Sequence, residues 1–173
     1  MKYQIVVAGF GGQGVVFLVK VLALCAEERD LKYLGTENHG MSQRGGAVRC
    51  DIKVGDFSNP LIDQGQANLL IGLDGGESLR NLNLLDESAW VITNSQKPMP
   101  KKLPFKICEV DANERVLNGE LPPQALNVFM LGVVIKNVKS FPFTLDEVKN
   151  ALTKVNPKVA QSNIEVLEMG MGV

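Results

Sequence analysis

A short apolar segment that runs into a glycine-rich turn and then into a helical pattern constrains this chain more than any other feature. Residues 3–8 are rich in β-branched side chains and end at a glycine, which is typical of a strand covered on both faces. Residues 15–28 follow with apolar side chains at helical spacing. The turn between them reads Gly-Phe-Gly-Gly-Gln-Gly. A strand, a turn and a helix in this order predict an α/β fold.

The rest of the chain continues the alternation of strands and helices. We expect strands at 31–36, 68–73, 89–93 and 107–110 and helices at 76–85, 124–139, 144–155 and 156–168. From Ala47 to Val54 apolar and polar residues alternate, which indicates a half-exposed strand at an edge or in an antiparallel position. The sequence therefore predicts one domain over residues 1–173 with a three-layer α/β/α, Rossmann-like fold. Its sheet is expected to be largely parallel, with an antiparallel edge element.

The helices expected in the last third carry two further signals. The segment 124–139 is apolar on most sides, which predicts a helix packed between the sheet and a partner, although a fully buried core helix explains the same pattern. Thr144 and Glu147 have the spacing of a capping box, which marks a helix start. Asn156 followed by Pro157 indicates another helix start.

Charge and composition exclude several classes of function. The chain has 18 Lys and Arg against 19 Asp and Glu, a net charge of −1, so it lacks the basic footprint of a nonspecific nucleic-acid binder. It has one His and three scattered Cys without a C-x-x-C pair, so no multi-His metal site and no local zinc or iron–sulfur site is expected. Any metal or redox chemistry would then belong to another chain.

No targeting or membrane signal stands out in the sequence. The first apolar segment is too short for a signal-peptide core, and no A-x-A cleavage pattern follows it. The longest apolar stretch, residues 128–135, is well short of the roughly 20 residues that span a bilayer. We therefore expect a cytoplasmic protein with reduced thiols.

The glycine turn is the first chemical signal. Gly9, Gly11, Gly12, Gln13 and Gly14 form a G-x-G-x-x-G pattern in which backbone amides can approach an anion at the start of a helix. An acid, Glu37, follows at roughly the distance at which a dinucleotide fold places a ribose-binding carboxylate. Taken alone, the pattern favours a nicotinamide- or flavin-dependent enzyme. The alternative is that the glycines only permit tight packing of strand, turn and helix.

The second signal is a dense polar segment that we expect to form an exposed or interfacial loop. Its three glycines allow positive φ and close backbone approach. Arg44 could clamp a carboxylate or phosphate, and His39 could act as a general acid or base. Alternatively, Glu37 and Arg44 form an ion pair while His39 caps a carbonyl group; we favour a structural or interfacial role for His39 and assign no catalytic residue. The candidate residues are Glu37, His39, Gly40, Met41, Ser42, Gln43, Arg44, Gly45 and Gly46.

The two segments together resemble a known family. G-F-G-G-Q-G followed by E-N-H-G-M-S-Q-R-G-G is similar to the gamma subunit of 2-oxoacid:ferredoxin (acceptor) oxidoreductases, closest to the small subunit of the indolepyruvate type. Further segments that fit lie at 60–71, 91–94, 127–132 and 163–170, so the resemblance covers essentially the whole chain.

The resemblance implies a subunit of a larger enzyme. Such enzymes oxidatively decarboxylate a 2-oxoacid, transfer the acyl group to coenzyme A and pass electrons to ferredoxin. Thiamine diphosphate and iron–sulfur clusters are then carried by the alpha and beta partner subunits, and the gamma element helps to form the coenzyme A region. The isolated chain is expected to be inactive. Two other readings stay open at this point: a stand-alone NAD-binding oxidoreductase and a purely structural assembly subunit.

Overall fold

One mixed sheet organises the molecule, and the computed structural model describes residues 1–40 and 45–173. The spatial strand order is β2-β3-β1-β4-β5-β6. Strands β1, β4, β5 and β6 are parallel neighbours, whereas β3 is antiparallel to both β1 and β2. The strands are β1 (Tyr3–Phe10), β2 (Tyr33–His39), β3 (Ala47–Val54), β4 (Ala67–Gly72), β5 (Leu85–Asn94) and β6 (Lys106–Val110). The predicted parallel sheet with an antiparallel side is confirmed.

In the part of the chain that the structure describes, six α-helices connect and cover these strands. They are α1 (Val15–Glu28), α2 (Gly75–Arg80), α3 (Ala112–Leu117), α4 (Leu126–Asn137), α5 (Leu145–Val155) and α6 (Ala160–Met171), with short 3₁₀ turns at Leu82–Leu84, Pro123–Ala125 and Pro157–Val159. Helix α3 was not predicted from the sequence, although Asp111 marks its start: the Asp111 carboxylate accepts a hydrogen bond from the Glu114 amide.

The two faces of the sheet are covered unequally. On one face, Ile5, Val7, Leu69 and Ile71 form a large core with α1, α4, α5 and α6. The opposite face has a smaller core, in which side chains of β1, β4 and β5 meet residues from the turns and irregular segments, including Ile62, Leu84 and Met99. The second helical layer of the expected three-layer fold therefore consists mainly of the short helix α2.

Strand β3 is buried where the sequence predicted exposure to water. It lies between β2 and β1, and its residues Asp51 and Lys53 are 0% and 6% exposed. The prediction of a half-exposed strand is wrong for these residues, although the antiparallel position is correct. The polar face is covered because the chain after β3 crosses it, and the Lys53 ammonium group donates a hydrogen bond of 2.7 Å to the Leu61 carbonyl.

Helix α4 is buried by this chain itself. Residues Leu126 to Val134 are all buried, and α6 packs closely against the helix. A Cβ atom added at Gly132 would overlap the Leu167 carbonyl oxygen, and one added at Gly170 would overlap that of Phe129. The expected packing against a partner is therefore not needed to explain the apolar sequence of α4, and the core-helix reading is correct.

The predicted helix starts have different outcomes. Thr144 and Glu147 form the expected capping box at the start of α5. Asn156 makes no side-chain capping bond, and a 3₁₀ turn precedes α6.

Among residues 1–40 and 45–173, no helix is long and apolar enough to cross a membrane.

Candidate functional site

The fold brings the two sequence motifs into direct contact. The Gly11 amide donates a hydrogen bond of 2.9 Å to the Gly46 carbonyl, so the glycine turn is joined to the end of the second segment. The base of the second segment is closed by a 2.7 Å hydrogen bond from the Gly40 amide to the Ala47 carbonyl. The contact arises because β1 runs antiparallel beside β3, pairing Phe10 with Ala47.

Gln13 organises the glycine turn from inside. Its side-chain oxygen accepts a hydrogen bond of 2.7 Å from the Phe10 amide, and its side-chain nitrogen donates one of 3.3 Å to the Leu73 carbonyl. A Cβ atom at Gly9 would lie 2.6 Å from the Gln13 side-chain oxygen and 3.0 Å from Leu73 Cβ, so this position has no room for a side chain. Part of the motif therefore serves tight packing of strand, turn and helix, which was the alternative to ligand binding.

The start of α1 remains available for an anion. Gly14 adopts φ 84° at the N-cap, where no side chain caps the helix and the first turn contains no acid. The free amides of a helix's first turn carry a partial positive charge and bind anions. This helix start borders a cavity of about 320 Å³, which we name the glycine-turn cavity. It is lined by Phe10, Gly11, Gly12, Gly14, Val15, Val16, His39 and Val48.

The second motif is only partly a loop. Glu37 and His39 lie in β2, which corrects the prediction that the whole segment is loop, and Gly40 follows the strand. The His39 ring nitrogen Nε2 lies 3.5 Å from a Glu37 carboxylate oxygen, and both side chains are more than half exposed. Among residues 1–40 and 45–173, this contact with a carboxylate is the side-chain partner found for His39. Gly45, at φ 65°, and Gly46 precede β3.

Met41, Ser42, Gln43 and Arg44 lie outside the described residues. The role of Arg44 as a clamp for an anion therefore stays a prediction. The ion pair proposed between Glu37 and Arg44 has the same standing.

The topology does not match a dinucleotide-binding fold. In that fold the acid that binds ribose ends a strand next to β1. Here β3 separates β1 from β2, so Glu37 lies two strand spacings from β1, roughly 10 Å away. The Gln13 side chain also bridges the ends of β1 and β4, where such folds bind their ligand.

The structure adds a polar residue that the sequence analysis did not single out as a site. Asn127 is 4% exposed, and its side-chain nitrogen donates a hydrogen bond of 3.3 Å to the Gly14 carbonyl. It thereby ties the start of α4 to the start of α1. A second cavity of about 380 Å³ lies beside this contact and includes Phe17, Gln124, Asn127, Ser162 and Asn163 in its walls. An asparagine within a nearly continuous apolar stretch was the available signal.

The three cysteines are free thiols in the structure. Cys25 and Cys50 are fully buried, and Cys108 is half-buried on the edge strand β6. Burial raises the pKa of the Cys25 and Cys50 thiols to about 12, with smaller contributions from nearby carboxylates. Both thiols are therefore protonated at neutral pH.

Known structures share this fold over nearly the whole chain. The gamma subunit of a keto/oxoacid ferredoxin oxidoreductase from Geobacter sulfurreducens superimposes with a TM-score of 0.79 at 19% identity, covering 98% of this chain and 96% of that one. The pyruvate oxidoreductase subunit PORC from Thermotoga maritima gives 0.76 at 22% identity, with coverage of 99% and 96%. The architecture is thus that of the gamma subunits of ferredoxin oxidoreductases.

Sequence relatives narrow the assignment. The indolepyruvate oxidoreductase subunit IorB of Archaeoglobus fulgidus is 30% identical, over 98% of this chain and 94% of that protein. Its counterpart from Pyrococcus horikoshii is 27% identical, with coverage of 98% and 95%. The sequence profile described as pyruvate ferredoxin/flavodoxin oxidoreductase matches residues 4–173. The chain belongs to this family and is a subunit of a multi-subunit 2-oxoacid:ferredoxin oxidoreductase.

Proposed function

We propose that this chain acts as one gamma-type domain over residues 1–173, supporting assembly of the enzyme and forming part of its coenzyme A region. The whole enzyme oxidatively decarboxylates a 2-oxoacid to an acyl-CoA and passes electrons to ferredoxin. Alpha and beta partner subunits carry thiamine diphosphate and the iron–sulfur clusters. The observation that carries the proposal is the junction of the two motifs beside the uncapped start of α1.

The glycine-turn cavity suits a part of coenzyme A that carries a phosphate beside apolar groups. Helix-start amides can donate hydrogen bonds to a phosphate oxygen, whereas the walls formed by Val15, Val16 and Val48 are apolar. Phosphate oxygens at the amides and apolar groups along these walls would satisfy both surfaces. Coenzyme A supplies the thiol that receives the acyl group, and this chain binds and orients the cofactor. Gly9 and Gln13 hold the turn in shape through the contacts described above.

A structural neighbour supports this assignment. The 2-oxoglutarate:ferredoxin oxidoreductase from Magnetococcus marinus, solved with 2-oxoglutarate, coenzyme A and succinyl-CoA bound, matches 99% of this chain with a TM-score of 0.76 at 16% identity. The match covers 30% of that longer chain. The same fold therefore occurs there as one part of a larger polypeptide, which fits a gamma domain that works against neighbouring domains.

The decisive experiment places a negative charge at the proposed anion site. Val16 is the second residue of α1, where an acid is favourable for the helix itself. In the reconstituted complex, Val16→Asp should raise KM for coenzyme A about tenfold, with kcat and KM for the 2-oxoacid little changed. Val16→Asn is the matched neutral control. Equal KM values for coenzyme A in the two variants would remove the glycine-turn cavity from the cofactor site.

A second measurement tests the subunit reading itself. The isolated chain should show no 2-oxoacid-dependent dye reduction, because the proposal places thiamine diphosphate and the iron–sulfur clusters in the partner subunits. Activity of the chain alone would contradict the assignment of the chemistry to partner subunits. Arg44→Ala in the complex separates the remaining roles of the second motif: a higher KM for coenzyme A indicates cofactor contact, and impaired assembly alone indicates an interface.

A further inference from the structure

Another cavity lies on the opposite side of the β2–β3 pair, at the same end of the sheet. It measures about 320 Å³ and contains two arginines from different elements, Arg49 of β3 and Arg80 of α2. The polar part of its wall also includes Asn38, His39, Glu77 and Asn81. We name it the Arg49–Arg80 cavity.

Arg49 forms an ion pair with a buried acid. Its Nε lies 3.1 Å from an Asp51 carboxylate oxygen, and the Asp51 side chain is 0% exposed. The Nε atom is itself inaccessible, although the Arg49 side chain as a whole is 30% exposed. The accessible part of Arg49 therefore lies on the rest of the side chain, which borders the cavity.

Arg80 also pairs with a buried acid, but from an exposed position. Its Nη1 lies 2.7 Å from a carboxylate oxygen of Glu77, whose side chain is 5% exposed, while the Arg80 side chain is 71% exposed. In each arginine, one nitrogen contacts a buried carboxylate, and the other N–H donors take no part in that ion pair. Side chains fixed in this way lose less conformational entropy when they bind a ligand.

The burial of Asp51 is unfavourable in itself. Burial raises the pKa of the Asp51 carboxyl despite the opposing effect of Arg49, so its ionised form is costly. Asp51 oxygens, Arg49 Nε and Thr36 Oγ1 are the buried side-chain atoms without a hydrogen-bond partner in the part of the chain that the structure describes. Apolar residues in place of a buried ion pair are often at least as stabilising. The Arg49–Asp51 pair is consistent with an arginine anchored for binding.

We infer that the Arg49–Arg80 cavity binds a phosphate group. Guanidinium groups suit phosphate because their N–H donors match its oxygens in pairs. Asn38 lies directly opposite Arg49 in the strand register, so it adds a neutral donor on the same face. This site is separate from the glycine-turn cavity. Its phosphate comes either from coenzyme A or from free inorganic phosphate.

The test measures binding to the full chain by calorimetry, with inorganic phosphate, coenzyme A and dephospho-coenzyme A as the probes. Arg80→Gln changes an exposed side chain and should fold, and it should weaken binding at this cavity about tenfold, the loss expected for a charge-assisted hydrogen bond. The double variant Arg49→Gln with Asp51→Asn removes both members of the buried pair and should act likewise. Arg115→Gln is the matched control, because it breaks an ion pair between Arg115 on α3 and Glu120 in the turn that follows α3.

The probes distinguish the two phosphate sources. Weaker binding of coenzyme A, with dephospho-coenzyme A unaffected, assigns the cavity to the 3′-phosphate, whereas weaker binding of inorganic phosphate alone assigns it to the free ion. The inference is overturned if none of the probes binds, or if all bind the Arg80→Gln and double variants as tightly as they bind Arg115→Gln. Coenzyme A binding that is lost in Val16→Asp but kept in these variants leaves the proposed function standing and this inference refuted.

Discussion

The Gly11 amide and the Gly46 carbonyl oxygen lie 2.9 Å apart and form the backbone hydrogen bond that joins the two motifs. The bond depends on strand pairing, because β3 brings the end of the second motif back beside the end of β1. The glycine turn, the start of α1 and the β2–β3 hairpin consequently form one surface. A ligand or partner that binds one motif therefore meets the other.

Glycines of the turn should differ in their tolerance of a side chain. A Cβ atom at Gly14 would overlap the Asn127 side chain, and the residue has φ 84°, so Gly14→Ala should lower the free energy of unfolding by about 2 kcal/mol or more. At Gly11 the nearest atom to an added Cβ is 3.4 Å away, so Gly11→Ala should cost less than about 1 kcal/mol. Urea denaturation of both variants measures the difference. Similar losses would show that the contact with Asn127 is unimportant.

The crossing of α4 and α6 should be intolerant of any added atom. Gly132→Ala or Gly170→Ala would place a methyl group against the backbone of the other helix, and we expect a loss of about 3 kcal/mol or more. Gly172→Ala is the control, since it lies just after α6 at φ −79° and its added Cβ would be 3.3 Å from the Met169 carbonyl oxygen. Thermal unfolding should therefore shift strongly for the first two variants and little for the third.

The three thiols should react in a fixed order. At pH 8 a thiol reagent should modify Cys108 first, because Cys25 and Cys50 are buried and their pKa values are about 12. The folded state binds these protons more tightly than the unfolded state, whose thiols titrate near 9. Stability should therefore fall as pH rises from about 9 towards 12. Modification of Cys25 or Cys50 before Cys108 would contradict the burial pattern.

Breaking the Arg49–Asp51 pair from either side should have unequal effects. Arg49→Gln leaves a fully buried carboxylate without its nearest cation, whereas Asp51→Asn leaves an arginine that still reaches solvent. We expect Arg49→Gln to be the more destabilising at pH 7. Because the pKa of Asp51 is already raised by burial and loses the opposing effect of Arg49, lowering the pH should protonate it and relieve part of the loss. Unfolding at pH 5 and pH 8 tests this, and a pH-independent deficit would contradict it.

Local patterns predicted most of the secondary structure. The buried strand, the glycine turn and helix α1 were identified because β-branched runs, glycines and helical spacing act over neighbouring residues. The capping box at Thr144 is equally local. Helix α3 was missed because six residues carry too little periodicity, although its N-cap Asp111 was visible.

Burial was the harder property to predict. The alternation in β3 indicated one face exposed to water, yet Asp51 is fully buried, and Lys53 donates a hydrogen bond to Leu61 in the chain beyond the strand. For the same reason the apolar sequence of α4 did not reveal that its cover is α6 from the same chain. Alternation reports which residues share a face, and only the packing of distant segments decides what covers that face.

Short runs of residue types were enough to predict the α/β class, the family resemblance and both motifs. Tertiary structure alone decided that β3 separates β1 from β2, which moves Glu37 away from the glycine turn. It also placed Asn127 against Gly14 and Arg49 in one cavity with Arg80. Such contacts join segments far apart in the chain, and their geometry is set by strand order and helix packing, which no local pattern encodes.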